Sequence, residues 1–224
     1  MVHNTSTCSI VAVNSTMLRN DTKTQSRAIQ KALSAFKKQG GMLRMADAVR
    51  LGIHRNTLYR MVDEKLIERI SRGLYRLTDA EPLGNPDLVA VTAKVPDGVI
   101  CLISALAFHN LTTQIPHEVY VAISRNSEPP RIDYPPVRSF RFSGKAFSEG
   151  IERPLVDGIR IPIYNREKTI ADCFKFRNQI GLDTAMEAIK FYKDQPKRNV
   201  GSLIKYATVC RVSKIIRPYL EAIL

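Results

Sequence analysis

The chain lacks any stretch suited to crossing a membrane. No apolar run reaches the ~18–20 residues that a bilayer span needs, and the longest, Val99–Phe108, is broken by Cys101 and Ser104. The N-terminal segment does not read as a secretory leader either. Residues 1–23 have no basic start, no clean apolar middle and no small-residue cleavage pattern, and Ile10–Val13 is too short to serve as that middle. This Ser-, Thr- and Asn-rich segment reads as a disordered lead, with Met17 as an alternative start. Cysteine is scarce and scattered. Cys8, Cys101, Cys173 and Cys210 form no C-x-x-C pair, and His3, His54, His109 and His117 form no H-x-x-x-H pair. That spacing argues against a zinc ribbon and for reduced thiols in a cytoplasmic protein. No heptad repeat argues for a coiled-coil dimer.

Catalytic signatures are absent too. A nucleotidyltransferase needs Gly-Ser followed by Asp-x-Asp, and Gly201-Ser202 has no such partner. A restriction-type nuclease needs Glu-x-Lys. Glu187-Ala188-Ile189-Lys190 has one residue too many, and Asp63-Glu64-Lys65 lies on a helix read below as a recognition helix. Neither a G-x-x-x-x-G-K phosphate loop nor a G-x-S-x-G elbow occurs. Ser104 with His109 or His117 is better read as a helix cap beside two ordinary histidines. We therefore expect no enzyme, no metal and no cofactor.

What the chain has is positive charge. Its net charge is +13, with 34 basic and 21 acidic residues among 224. Such an excess points to a polyanionic partner, either nucleic acid or a membrane surface. The excess is uneven. Residues 24–79 hold twelve Lys/Arg against five Asp/Glu, whereas residues 80–224 hold twenty against fifteen.

The basic third also has a recognisable pattern. Thr24–Gln39 reads as an amphipathic helix with Ile29, Ala32, Leu33 and Phe36 inward, ended by Gly40-Gly41. Met45–Leu51 reads as a short second helix, with Met45, Ala48 and Val49 inward, and Gly52 supplies the tight corner. A third helix is expected over Arg55–Lys65 with Leu58, Met61 and Val62 on one face. Its other faces carry Arg55, Asn56, Thr57, Tyr59 and Arg60, groups that reach guanine, adenine and phosphate. Two short strands follow, Leu66–Ile70 and Leu74–Leu77, around Ser71-Arg72-Gly73. Three helices and a hairpin make a winged helix-turn-helix. Its expected DNA-contacting residues are Arg44, His54, Arg55, Asn56, Thr57, Tyr59, Arg60, Arg69, Ser71, Arg72 and Arg76.

The stretch Gly41-Met42-Leu43-Arg44, then Leu51–Arg60, then Ile70–Leu77 resembles the N-terminal domain of AbiE-type (AbiEi) antitoxins. The resemblance extends to Ile103–Leu106, His109–Thr112, Pro116–Ile123 and Thr169–Asp172. It implies a winged helix that binds inverted repeats in the protein's own promoter. It also implies a C-terminal domain that neutralises a nucleotidyltransferase-like toxin encoded next door. His54 departs from the pattern, because Ser or Thr caps a helix better.

Glu81–Pro86 reads as a linker between the winged helix (24–80) and a larger domain (87–224). That domain alternates expected helices (Asp87–Val95, Ser104–His109, Arg166–Arg177, Gly181–Tyr192) with strands (Val119–Ile123, Val137–Phe142 and others within Ile151–Ile163). Val99–Ile103 fits a strand or the start of a buried helix, and Ser127–Pro136 with its four prolines must be loop. Helices over Val200–Val209 and Val212–Ile223 close the chain, so the whole is a mixed α+β protein whose C-terminal α/β domain has a helical end. Asp172 reads as a structural ion-pairing residue. Arg166, Lys168, Lys175 and Arg177 around it, with Lys190, Lys193, Lys197 and Arg198 further on, suggest a second basic face, either simply solvated or a source of extra phosphate contacts. Two other functions stay open: a one-component regulator whose C-terminal domain senses a ligand, and a nuclease or other enzyme targeted by the winged helix.

Overall fold

A computed structural model describes residues 25–80 and 83–223. The expected N-terminal lead, 1–23, lies outside these residues. The described chain divides into two compact units, residues 25–80 and residues 83–223.

In the first unit, α1 covers residues 25–38. It buries Ala32 and Phe36 completely and packs Ile29 and Leu33 against the same core. Gly40 and Gly41 have φ of 72° and 83°, and the Gly41 N–H returns to the Phe36 carbonyl at 2.8 Å. A side chain resists that left-handed geometry, which is why glycine ends the helix. β1 (Met42–Arg44), a strand not expected from the sequence, leads into α2 (Met45–Arg50). α2 buries only Ala48. Val49, expected inward, is 46% exposed, because six residues turn little more than one side to the core and Ala48 takes it. Gly52 (φ 72°) makes the corner to α3 (Arg55–Asp63), whose inner face is Leu58 and Met61. β2 (Ile67–Ser71) and β3 (Leu74–Leu77) form the wing, and β1 completes an antiparallel sheet in the order β1-β3-β2.

The second unit begins with α4 (Pro86–Lys94). Pro86, read as linker, is its first residue, where a missing N–H costs nothing. There follow β4 (Val99–Ile100), α5 (Leu102–Phe108), β5 (Val119–Ser124), β6 (Val137–Phe142) and α6 (Lys145–Ser148). Four two-residue strands come next: β7 (Ile151–Glu152), β8 (Leu155–Val156), β9 (Ile159–Arg160) and β10 (Ile163–Tyr164). The helical end comprises α7 (Arg166–Lys175), α8 (Arg177–Ile180), α9 (Leu182–Asp194), α10 (Val200–Val209) and α11 (Ser213–Ile223). A mixed five-stranded sheet runs β6-β5-β4-β10-β7, and β8 pairs with β9 around Asp157-Gly158. Val99–Ile103 is thus both expected forms in turn, strand and then helix.

Two expectations fail here. Ser104 does not cap α5, which starts two residues earlier at Leu102. Its Oγ instead accepts the Tyr120 N–H at 2.9 Å, tying helix to strand. The basic face expected around Asp172 fails at its centre, although Lys190, Lys193, Lys197 and Arg198 are exposed as expected. α7 is buried from Glu167 to Phe174, packed among α5, α9 and α10, and Lys168 is wholly inside. Its polar groups are satisfied internally. Lys168 Nζ lies 2.5 Å from Asp172 Oδ2, and the Tyr192 hydroxyl donates to Glu167 at 2.8 Å. The structural ion pair read for Asp172 is present.

Candidate nucleic-acid interface

The exposed side of α3 carries the chemistry expected of a recognition helix. Leu58 and Met61 face the core, which turns Arg55, Asn56 and Tyr59 to solvent; Thr57 and Arg60 lie half-buried at the margins. Tyr59 is 52% exposed, a large ring left uncovered. His54 stands at the N-cap with extended backbone and makes no side-chain capping bond. No acidic residue occupies the first turn, so nothing in it repels an anion at the helix's positive end. Arg60 reaches Glu64 at 3.0 Å, but both side chains are more than 40% exposed. Such a pair is worth about 0.3–0.5 kcal/mol, so a phosphate displaces it at little cost.

The wing adds a second set. Arg72 is exposed in the β2–β3 turn, where Gly73 takes φ 76°. The Met45 N–H bonds the Gly73 carbonyl at 2.8 Å and pins this turn to the start of α2. Arg44 pairs in register with Leu74, so it sits at the same end of the sheet as Arg72. Arg69 is exposed on β2, and its Nε donates to the Ser71 carbonyl at 3.3 Å. Burial raises the Tyr75 hydroxyl above its ordinary pKa; Tyr59 adds to the rise and Arg69 opposes it. Arg69 stands beside Tyr75 in the β2–β3 register.

Two expected contact residues leave this face. Ser71 is 8% exposed, and its Oγ is buried without a hydrogen-bond partner. A register shift between Arg69 and Ser71 swings it inward. Arg76 is 12% exposed, pairs with Glu68 at 3.0 Å and donates to the Ala80 carbonyl at 2.8 Å. It fastens the central strand. Lys31, not singled out from the sequence, sends its Nζ from α1 to the Gly52 carbonyl at 3.3 Å. Its signal was its place beside Ala32 on a helix that otherwise reads as support.

In the second unit, the possible hydrolase pair is used otherwise. Ser104 bonds β5, and His109 Nε2 lies 2.7 Å from the Tyr164 carbonyl. Burial lowers the His109 pKa, and because a carbonyl only accepts, Nε2 is the donor in this bond. Cys101 and Cys173 are fully buried, and that burial pushes both thiols up; protonated thiols are poor nucleophiles. Cys210 donates its S–H to Asp172 Oδ1 at 3.1 Å. Among the described residues, no three His, Cys, Asp or Glu gather in a way that would hold a metal ion.

The fold is a winged helix-turn-helix joined to an α/β unit, with the winged helix presenting cationic and amide side chains on its reading helix and turn. Residues 30–78 match the family model described as transcriptional regulator, AbiEi antitoxin. The match spans 49 of the 224 residues, so the N-terminal unit is similar to the winged helix of AbiEi antitoxins, which supports a DNA-binding regulator role. No curated protein matches the chain. The crystal structure of the RV2827C protein from Mycobacterium tuberculosis is similar, with a TM-score of 0.50 at 10% identity, over 88% of this chain and 80% of that one. This is a likeness of fold alone. No helix among the described residues is long and apolar enough to cross a membrane.

Proposed function

We propose that this protein is a cytoplasmic autoregulating antitoxin, which binds inverted repeats in its own promoter through α3 and the wing. The carrying observation is the solvent-facing set Arg55, Asn56 and Tyr59 on a helix whose opposite face is fully buried. Arg55 and Asn56 read base edges, as Arg does guanine and Asn adenine. Arg44, Arg69 and Arg72 contact phosphates at the wing, joined by the first-turn N–H groups of α3. In this reading the C-terminal unit neutralises a cognate nucleotidyltransferase-like toxin. A reporter fused to the upstream DNA tests the first half. Repression by the wild type and its loss in Arg55→Ala/Asn56→Ala supports the reading; equal repression by both refutes base reading by α3. Growth rescue in cells expressing the neighbouring toxin tests the second half.

An open groove of about 540 Å³ between α10 and α11 favours a second reading, a ligand-sensing regulator. Val200, Ile204, Ala207, Ile216 and Leu220 line it, and its size lies within the range of ligand pockets. A small molecule that raises the Tm and releases DNA would establish this alternative.

A further inference from the structure

β6 ends the five-stranded sheet on one side. It pairs with β5 alone, in parallel, from Val119↔Val137 to Ser124↔Phe142. The direction of each backbone group follows from one bond: the Val119 N–H donates to the Pro136 carbonyl at 2.8 Å. In a parallel ladder of that register, residues 138, 140 and 142 of β6 turn their backbone groups toward β5. The N–H and C=O groups of Val137, Ser139 and Arg141 therefore point away from the sheet. Among the described residues none of these groups has a hydrogen-bond partner. Nor are they buried: Val137 and Ser139 are half-buried and Arg141 is exposed. An open edge of six residues is a template for another strand, and the side chains along it decide what is admitted.

The charge around this edge selects what docks. From 125 to 145 the chain carries Arg125, Arg131, Arg138, Arg141 and Lys145, against Glu128 and Asp133. The two strand arginines are held in place. Arg138 lies over the Tyr120 and Phe140 rings at 5.8 and 5.4 Å and 3.5 Å from Glu118; Arg141 donates to the Arg125 carbonyl at 2.7 Å. They stand on opposite faces of the sheet, because alternate residues of a strand do. A strand laid along β6 thus meets a cation on either face.

We propose that the outer edge of β6 is a docking edge for an extended, acidic segment of a partner protein, added to the sheet as a further strand. Main-chain bonds to Val137, Ser139 and Arg141 hold it, and Arg138 and Arg141 choose acidic side chains. A second copy of this chain fits worse, since its β6 brings two more arginines to the edge and no acidic residue to answer them. A nucleic acid fits worse too. Phosphates satisfy the three outward N–H groups but confront the three outward carbonyls, whereas a strand satisfies both.

The test uses the whole chain and a fluorescein-labelled ten-residue peptide of alternating Glu and Val, with its Lys/Val counterpart as control. Anisotropy should show the acidic peptide binding at least tenfold tighter than the basic one. Ser139→Pro removes one outward N–H and leaves the β5 ladder intact. It should weaken the acidic peptide tenfold or more at unchanged net charge and unchanged promoter-DNA affinity. Unchanged peptide affinity in folded Ser139→Pro overturns the proposal, by assigning the attraction to general charge. Loss of DNA affinity in that variant overturns it in favour of nucleic acid. A wild-type dimer that Ser139→Pro converts to monomer overturns it in favour of a second copy. Should the variant not fold, amide exchange of the wild type decides. Protection of the Val137, Ser139 and Arg141 amides on adding the acidic peptide supports the edge, and unchanged exchange refutes it.

Discussion

Helices α3 and α7 are alike on paper and opposite in use. α3 reads RNTLYRMVD and α7 reads REKTIADCFK. α3 sits at the surface of a small unit, packs one face on the core and turns Arg55, Asn56 and Tyr59 outward. α7 runs through the centre of the larger unit and takes Lys168 and Asp172 inside, where they neutralise each other at 2.5 Å. Lys168 Nζ also lies 4.1 Å from the centre of the Tyr164 ring. Polarity in a helix is therefore no sign of function. What matters is whether a charge finds its partner within the fold or leaves it for something outside.

The sharpest way to break this comparison is to remove one charge from each helix. Asp172→Ala leaves the Lys168 ammonium buried and unpaired, which costs about 3–5 kcal/mol. Urea unfolding should show the loss in the C-terminal unit, with DNA affinity changed only through folding. Arg55→Ala or Asn56→Ala should do the reverse: no measurable loss of stability, and about 1–3 kcal/mol less affinity for the specific site. Competition between specific and random DNA checks it, because equal losses on both sequences would deny α3 a base-reading role.

Protonation offers a gentler probe of the second unit. Burial lowers the His109 pKa below its ordinary 6.5, so the unfolded chain binds the extra proton first. Its contribution to stability is complete above the unfolded value and is lost as pH falls through the folded one, at most about 1.4 kcal/mol per pH unit. Unfolding midpoints between pH 7.5 and 5 should fall with pH, less so in His109→Gln; parallel slopes would show that other groups carry the dependence. The smallest effect is expected at the wing, where Arg72→Ala should lower the salt dependence of DNA binding by about one unit and leave sequence preference alone.

The winged helix was legible because its signals are local. Gly40-Gly41, Gly52 and Gly73 punctuate it, and each has positive φ in the structure. Leu58 and Met61 mark the inner face of α3 by spacing alone. What escaped was non-local. β1 is three residues long and becomes a strand only because β3 pairs with it. Ser71 and Arg76 look like wing residues in sequence, but a register shift and a cross-strand carboxylate draw them into the fold. In the C-terminal unit, Ser104 serves β5 across a span that no helix rule sees, and Lys168 reads as surface because its partner's burial is a property of the packing. The free edge of β6 could not be read at all before the strand order was known.

The central claim is that α3 reads sequence while the wing supplies charge. The most direct test is an anisotropy titration on the DNA immediately upstream of the gene, beside a scrambled control, at two salt concentrations, for the wild type and Arg55→Ala. Wild-type binding to the upstream DNA should be tight and weakened by salt, with Arg55→Ala narrowing the gap between the two DNAs. Equal binding of both DNAs by the wild type, falling with salt in parallel, would contradict it and leave the basic surface as generic charge.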